Sequence, residues 1–150
     1  LGKRELVKSR FLRVILFQLA QMLAAVPFAL LRQSFAIPGN AAGMDAGIAL
    51  FGLALPMLGI FNRTFLGSFF RQPTKVGTAF LKGCVGLTVC MALAETAVFT
   101  VPFFRDCLDT PDPEHLGAKL AVLAIGAALY AALNAIAYRN CVKTFEKVDL

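Results

Sequence analysis

AKLAVLAIGAALYAALNAIAY, residues 118–138, is a run of 21 residues in which Lys119 is the one charged side chain. The hydrocarbon core of a bilayer is about 30 Å thick and an α-helix rises about 1.5 Å per residue, so about 20 apolar residues are needed to cross it. A soluble fold has to keep a polar surface and does not tolerate such uninterrupted apolar stretches. The run therefore predicts a transmembrane helix.

Three further stretches, residues 14–31, 46–61 and 78–103, have the same apolar character. The second is the shortest and contains three glycines and a proline, which membrane helices tolerate where neighbouring helices cover the backbone. The sequence thus predicts an all-α fold: an integral membrane helical bundle with four transmembrane helices, organised as a single transmembrane domain over residues 1–150.

The composition agrees with a membrane protein. Hydrophobic residues make up 58% of the chain and charged residues 16%, with a mean hydropathy of +0.71. Soluble domains are closer to about 45–50% apolar and about 25% charged. The net charge of +6 would suit a nucleic-acid-binding protein, but no aromatic residues interleave with a basic patch as single-strand binding requires. We expect a lipid bilayer and no nucleic acid as partner.

Lysine and arginine are distributed unevenly between the two sides of the predicted bundle, with twelve on one side and three on the other. The first side holds Lys3, Arg4, Lys8, Arg10, Arg13, Arg63, Arg71, Lys75, Lys82, Arg139, Lys143 and Lys147, and the other holds Arg32, Arg105 and Lys119. Cytoplasmic loops of membrane proteins are enriched in these residues. The sequence therefore predicts that both termini and the middle loop are cytoplasmic.

Three segments on the predicted cytoplasmic side have helical character. Residues 2–13 are strongly basic, whereas residues 62–71 and 139–149 each place apolar side chains opposite polar ones at helical spacing. The pattern in residues 62–71 suits a short helix lying in the membrane interface. The pattern in residues 139–149 suits an extension of the last membrane helix that packs on another surface.

Among the polar side chains within the predicted spans, four are candidates for a functional role: Glu95, Gln18, Gln21 and Asn134. An ionisable group inside a membrane indicates a functional site by default, and no ionisable side chain of another span lies at the depth of Glu95. Two interpretations of Glu95 stay open, a structural carboxyl group or a group that takes part in transport or proton coupling. The three amides are explained either by hydrogen bonds between helices or by substrate contacts.

Enzyme signatures are absent from the sequence. There is no G-x-x-x-x-G-K-[ST] phosphate loop, no H-E-x-x-H and no G-x-S-x-G. His115 is the one histidine, and the four cysteines form no C-x-x-C pair. The sequence therefore predicts no catalytic residue, no metal site and no cofactor in this chain, which we do not expect to be an enzyme.

Three groups of residues together resemble the membrane (permease) subunit of type-2 ATP-binding-cassette exporters of bacterial inner membranes. The first is GKRELVKSRF at residues 2–11, leading into a membrane helix; the second is FNRTF at 61–65 with FFRQPTKVG at 69–77; the third is KTFEKVD at 143–149. Members of that family usually have about six spans. The resemblance implies that the chain either lacks the first two helices or is a shorter relative.

The resemblance also implies partners and a mechanism. A separate cytoplasmic ATPase of the ATP-binding-cassette class would hydrolyse ATP, and a second permease subunit would complete a homo- or heterodimer. The exported substrate would be a peptide, an antibiotic or a lipid-like compound. Candidates for coupling to the ATPase are Lys3, Arg4, Glu5, Lys8 and Arg10, with Arg71 and Lys75 added by their position in the inner loop. The alternative role for these charges is to set the topology and contact lipid headgroups.

Two other classes of function stay open from the sequence. A small self-contained transporter would couple transport to protons through Glu95 and would need no ATP. A membrane anchor or regulatory subunit would bind a partner through its cytoplasmic segments and would have no transport path.

Overall fold

A computed structural model of the chain describes residues 2–35 and 44–147. It consists of four long helices, α1 (Lys3–Ser34), α2 (Ile48–Arg71), α3 (Val76–Thr100) and α4 (Leu116–Glu146), with a π-helical segment at Phe104–Leu108 between α3 and α4. The described residues contain no strand. Each of the four helices is long and apolar enough to cross a membrane. The predicted all-α bundle of four membrane-spanning helices is therefore confirmed.

The helices extend beyond the predicted spans because the flanking polar segments continue them. Helix α1 includes both residues 2–13, from Lys3 onward, and the apolar run that follows. Helix α4 continues to Glu146, and residues 148 and 149 of the predicted tail lie outside the described residues. Helix α3 ends at Thr100 because Pro102 disfavours helical backbone at Val101, which is extended.

The segment at residues 62–71 differs from its prediction. It forms no separate interfacial helix but is the last part of α2, which runs without a break to Arg71. The reason is that Asn62, Leu66 and Phe70 are buried against neighbouring helices, so the apolar stripe of this segment faces protein. With this addition α2 has 24 residues, enough to cross the hydrocarbon core.

Helices α2 and α4 form the central pair of the bundle, and α1 and α3 pack on its outside. Glycines set the close approach of the central pair. A Cβ atom on Gly126 of α4 would overlap the carbonyl oxygen of Gly52 in α2, and a Cβ on Gly52 would lie 2.8 Å from the backbone of Leu123. Small residues at such crossings let membrane helices approach closely. Two of the glycines in the second predicted span, Gly52 and Gly59, thus lie at the main helix–helix contact.

One end of the bundle is closed by an apolar cluster that joins the start of α1 to the ends of α2 and α4. Its buried members are Val7, Phe11, Leu66, Phe70, Ala137, Cys141 and Phe145. The rings of Phe70 and Phe145 are 5.2 Å apart in an edge-on arrangement. At this end Lys3 Nζ donates to the carbonyl oxygen of Glu146 at 3.4 Å. The beginning of α1 and the end of α4 therefore meet.

The outer surfaces of α1 and α3 are strongly apolar. Leu23 and Phe28 of α1 are 74% and 73% exposed, and Leu93 of α3 is 65% exposed. A protein in water rarely exposes so continuous an apolar surface, whereas hydrocarbon chains of lipids can cover it. The chain is accordingly a multi-pass membrane protein.

Candidate functional site

A cavity of about 320 Å³ lies between α1 and α3, and α2 forms its base. The α2 residues that line it include Leu50, Leu53 and Met57, which occupy the face turned away from the contact of Gly52 with α4. Helices α1 and α3 have no extensive contact with each other. The cavity is thus a cleft along the side of the bundle, which we call the α1–α3 cleft.

Within residues 2–35 and 44–147, Glu95 is the one ionisable side chain that lines the α1–α3 cleft. Its carboxylate oxygen Oε2 is buried and has no hydrogen-bond partner among the described residues. None of the ion pairs between described residues includes Glu95. Since it is costly to bury a carboxylate oxygen without a partner, Oε2 is an unsatisfied polar atom of the cleft.

All four methionines of the chain, Met22, Met44, Met57 and Met91, line the α1–α3 cleft. Three come from α1, α2 and α3, and Met44 precedes α2. Methionine side chains are flexible and polarizable, and they adapt to apolar partners of irregular shape. The sequence gives no signal for this convergence, because the four positions are unrelated in spacing and meet only through the packing of three helices.

A buried network of polar side chains borders the cleft and connects three helices. Gln18 and Asn62 form a reciprocal amide pair, with both N–H···O distances 2.8 Å. Asn62 Nδ2 also donates to Asn134 Oδ1 at 2.9 Å, and the hydroxyl of Tyr130 donates to Gln18 Oε1 at 2.8 Å. Asn134 Nδ2 donates to the backbone oxygen of Tyr130 at 2.9 Å. The network joins α1, α2 and α4 in the membrane interior.

The structure thus distributes the predicted intramembrane polar residues between two places. Gln18, Gln21 and Glu95 line the α1–α3 cleft, and Gln18 and Asn134 belong to the buried network. Sequence reasoning missed Asn62, which it assigned to the interfacial segment. Helical spacing could have found it, since Asn62 follows Gly52 and Gly59 on one face of α2.

A second polar cluster lies at the opposite end from the apolar cluster. Asp112 accepts hydrogen bonds from Lys119 Nζ at 2.9 Å, Gln33 Nε2 at 3.2 Å and the backbone N–H of Ile48 at 3.1 Å. Lys119 is 0% exposed and also donates to the carbonyl oxygen of Thr110 at 2.5 Å. One carboxylate thereby ties the end of α1 to the starts of α2 and α4.

The pKa of Asp112 reflects this environment. Partial burial by itself raises the pKa, but the hydrogen bonds from Lys119, Gln33 and Ile48 and the charge of Lys119 outweigh it, so the pKa is lowered. Asp112 is therefore charged at neutral pH and compensates the buried ammonium group of Lys119. The cluster is a structural tie between elements.

The coupling candidates lie at the end of the bundle where α1 begins. Arg4, Glu5, Lys8 and Arg10 are exposed on the first turns of α1. Lys3 is half-buried, with Nζ near the last turn of α4. The connection between α2 and α3 reaches the same end and carries Arg71 and Lys75, both exposed. The candidates from the two segments thus share one accessible surface.

The remaining chemistry of the described residues is sparse. They contain no group of three or more His, Cys, Asp or Glu side chains placed to hold a metal ion. Cys84, Cys90, Cys107 and Cys141 are free thiols. No family model, curated protein or solved structure matches the chain.

Proposed function

We propose that this chain is a membrane-embedded transport subunit, the permease component of an ATP-driven exporter of the ATP-binding-cassette class. The observation that carries the proposal is the α1–α3 cleft, with the unpartnered Oε2 atom of Glu95 within an apolar helical bundle. A charged group at the centre of a membrane helix costs about 2.5–3.5 kcal/mol, and the cost is lower towards the helix end, where Glu95 lies five residues before Thr100. A protein that serves only as a membrane anchor does not need such an unfavourable residue facing a cleft, whereas a transport path can use one.

The energy source in this proposal is a separate ATPase that binds the basic end of the bundle. Support comes from the residues that resemble such permeases and from the exposure of Arg4, Lys8 and Lys75 at that end. Helix α1 connects this surface directly to the cleft, because Lys8 and Gln21 lie on the same helix, about 20 Å apart at about 1.5 Å per residue. A displacement of the start of α1 would therefore reach the cleft along one rigid element.

A second permease subunit belongs to the same proposal. Helices α1 and α3 flank the cleft and present large exposed side chains such as Phe17 and Phe99. A second copy packed on these faces would cover the open side of the cleft and separate the path from lipid. The proposed location is the cytoplasmic membrane, with the basic end in the cytoplasm.

The test is purification of the tagged protein from its native membrane, followed by mass spectrometry and an ATPase assay. We expect a stoichiometric ATP-binding-cassette ATPase. Its recovery should fall strongly in the double variant Arg4→Glu/Lys8→Glu. The matched control is Lys143→Glu/Lys147→Glu, which makes the same change of charge at exposed positions of the same end outside the coupling candidates. Purification of the chain without any ATPase would overturn the proposal.

A second candidate function is a self-contained, proton-coupled transporter. It is favoured by the buried Oε2 atom of Glu95, which has no partner in the described residues. This function predicts uptake or efflux in proteoliposomes driven by a pH gradient without ATP, and its loss in Glu95→Gln. Transport that survives in Glu95→Gln would contradict the proton-coupled function.

A further inference from the structure

The lining of the α1–α3 cleft has a specific combination of charge and surface. Among the residues that the structure describes, it includes one carboxylate, that of Glu95, and no lysine, arginine or histidine. The rest is dominated by aliphatic side chains and the four methionines. An apolar wall with a single negative group is complementary to a ligand with an apolar body and a single positive charge.

We infer that the α1–α3 cleft binds amphipathic organic cations that partition into the membrane, with Glu95 as their counter-ion. This inference rests on the proposed transport function and names its class of substrate. The carboxylate of Glu95 provides the selectivity: a cation in the cleft is attracted to it, a neutral apolar molecule leaves the buried oxygen Oε2 without a compensating charge, and an anion is repelled.

The two amides of the cleft are consistent with this selectivity. Gln18 is engaged with Asn62 and Tyr130 through both its oxygen and its nitrogen, so it does not compete for Glu95. Gln21 is exposed on α1 and lines the cleft, where its carbonyl oxygen can accept a hydrogen bond from an ammonium group. Neither amide supplies a hydrogen bond to Oε2 of Glu95.

The methionines allow the cleft to accept ligands whose apolar parts differ in shape. Met22, Met57 and Met91 come from three different helices, so the wall can adjust by rotation of unbranched side chains without moving the backbone. The opening between α1 and α3 faces the side of the bundle, where α1 and α3 expose apolar residues to lipid. In the single chain, where no second copy covers the cleft, a cation that has partitioned into the bilayer can therefore reach Glu95 laterally.

The experiment measures equilibrium binding to the purified full chain in lipid nanodiscs, with empty nanodiscs subtracted. The probe is tetraphenylphosphonium, and tetraphenylborate is the matched anion of the same shape. We expect saturable binding of the phosphonium alone, weakened by about tenfold or more in Glu95→Gln, because an ion pair in a low-dielectric site is lost. Glu114→Gln, at an exposed position outside the cleft, should bind the probe like the wild type.

Two results would overturn the inference: equal phosphonium affinity in Glu95→Gln and wild type, or saturable binding of tetraphenylborate at the same affinity. A second variant, Ala54→Trp, keeps the charge but fills the cleft and should also abolish binding. Glu95→Gln should fold, since Oε2 has no partner to lose. No ATPase is present in this assay, so failure of the proposed ATP coupling and failure of the cation site give different results.

Discussion

Asn62 and Gln18 are the two side chains of the buried network that each connect α1, α2 and α4, although the position of Asn62 in the sequence does not single it out. Asn62 is 0% exposed and makes hydrogen bonds to Gln18 of α1 and Asn134 of α4. Polar contacts of this kind between membrane helices contribute about 0.6–2 kcal/mol each. Loss of Asn62 also leaves two buried amides without their partner, which adds a desolvation cost.

We expect Asn62→Ala to lower the free energy of unfolding by about 1–3 kcal/mol, measured by titration with SDS in mixed micelles. The control is Asn140→Ala, the same replacement at an exposed position of α4, which should be close to neutral. Equal stability of the two variants would show that the network is replaced by other contacts and does not hold α1 to the central pair.

Asp112 should make the stability of the bundle depend on pH. Its folded-state pKa is lowered by Lys119, Gln33 and the backbone of Ile48. A carboxylate with a lowered pKa contributes stability above its unfolded pKa of about 3.9, and the contribution is lost as the pH falls through the folded pKa. The contribution of Asp112 is thus complete at neutral pH and disappears only in acid.

Asp112→Asn should therefore destabilise the protein at pH 7 by about 3 kcal/mol, since it leaves the buried Lys119 without its counter-charge. The difference from wild type should shrink below about pH 4, which thermal unfolding in detergent at a series of pH values will show. Asp106→Asn removes an exposed partner of Arg105 and should leave the profile unchanged, because exposed ion pairs contribute little. A constant difference between wild type and Asp112→Asn at all pH values would contradict the role of its charge.

Among the helices, the contact between α2 and α4 depends on Gly126. The carbonyl oxygen of Gly52 occupies the position that a Cβ atom would take, so Gly126→Ala has to push the two backbones apart. We expect a loss of about 1–3 kcal/mol, as for other overpacked contacts, measured by unfolding in SDS. Gly67→Ala is the matched control, because a Cβ at this position of α2 meets nothing within 4 Å; helix propensity should make it neutral or stabilising by up to about 1 kcal/mol. Equal losses in both variants would show that the effect is not due to the contact.

The number of helices could be predicted because the thickness of the bilayer sets the length of an apolar run, as in residues 118–138. The ends of the helices could not be predicted in this way. Residues 62–71 are polar enough to leave the membrane, and they nevertheless continue helix α2, where they pack on Phe11 and Phe145. The α1–α3 cleft depends on which faces of three helices meet. Glu95 was visible as an intramembrane carboxyl group, but the four methionines became neighbours only through tertiary packing, which the linear pattern does not encode.

The bundle as a whole is electrically polar. The end where α1 begins and α4 ends carries twelve of the fifteen lysines and arginines, and the opposite end carries five of the nine acidic residues. The structure brings these charges together because four antiparallel spans return the chain to the same end. Retention of Lys and Arg on the cytoplasmic side during insertion then predicts that this end is cytoplasmic.

This orientation can be tested by thiol labelling in intact cells with a membrane-impermeant maleimide. In a background with the four native cysteines replaced, Glu114→Cys should react from outside, whereas Lys143→Cys should react only after permeabilisation; both positions are exposed and lie at opposite ends. Labelling of Lys143→Cys in intact cells would invert the orientation. It would also remove the surface of Arg4 and Lys8 from the cytoplasm, where ATP is available, and with it the physical basis for coupling to an ATPase.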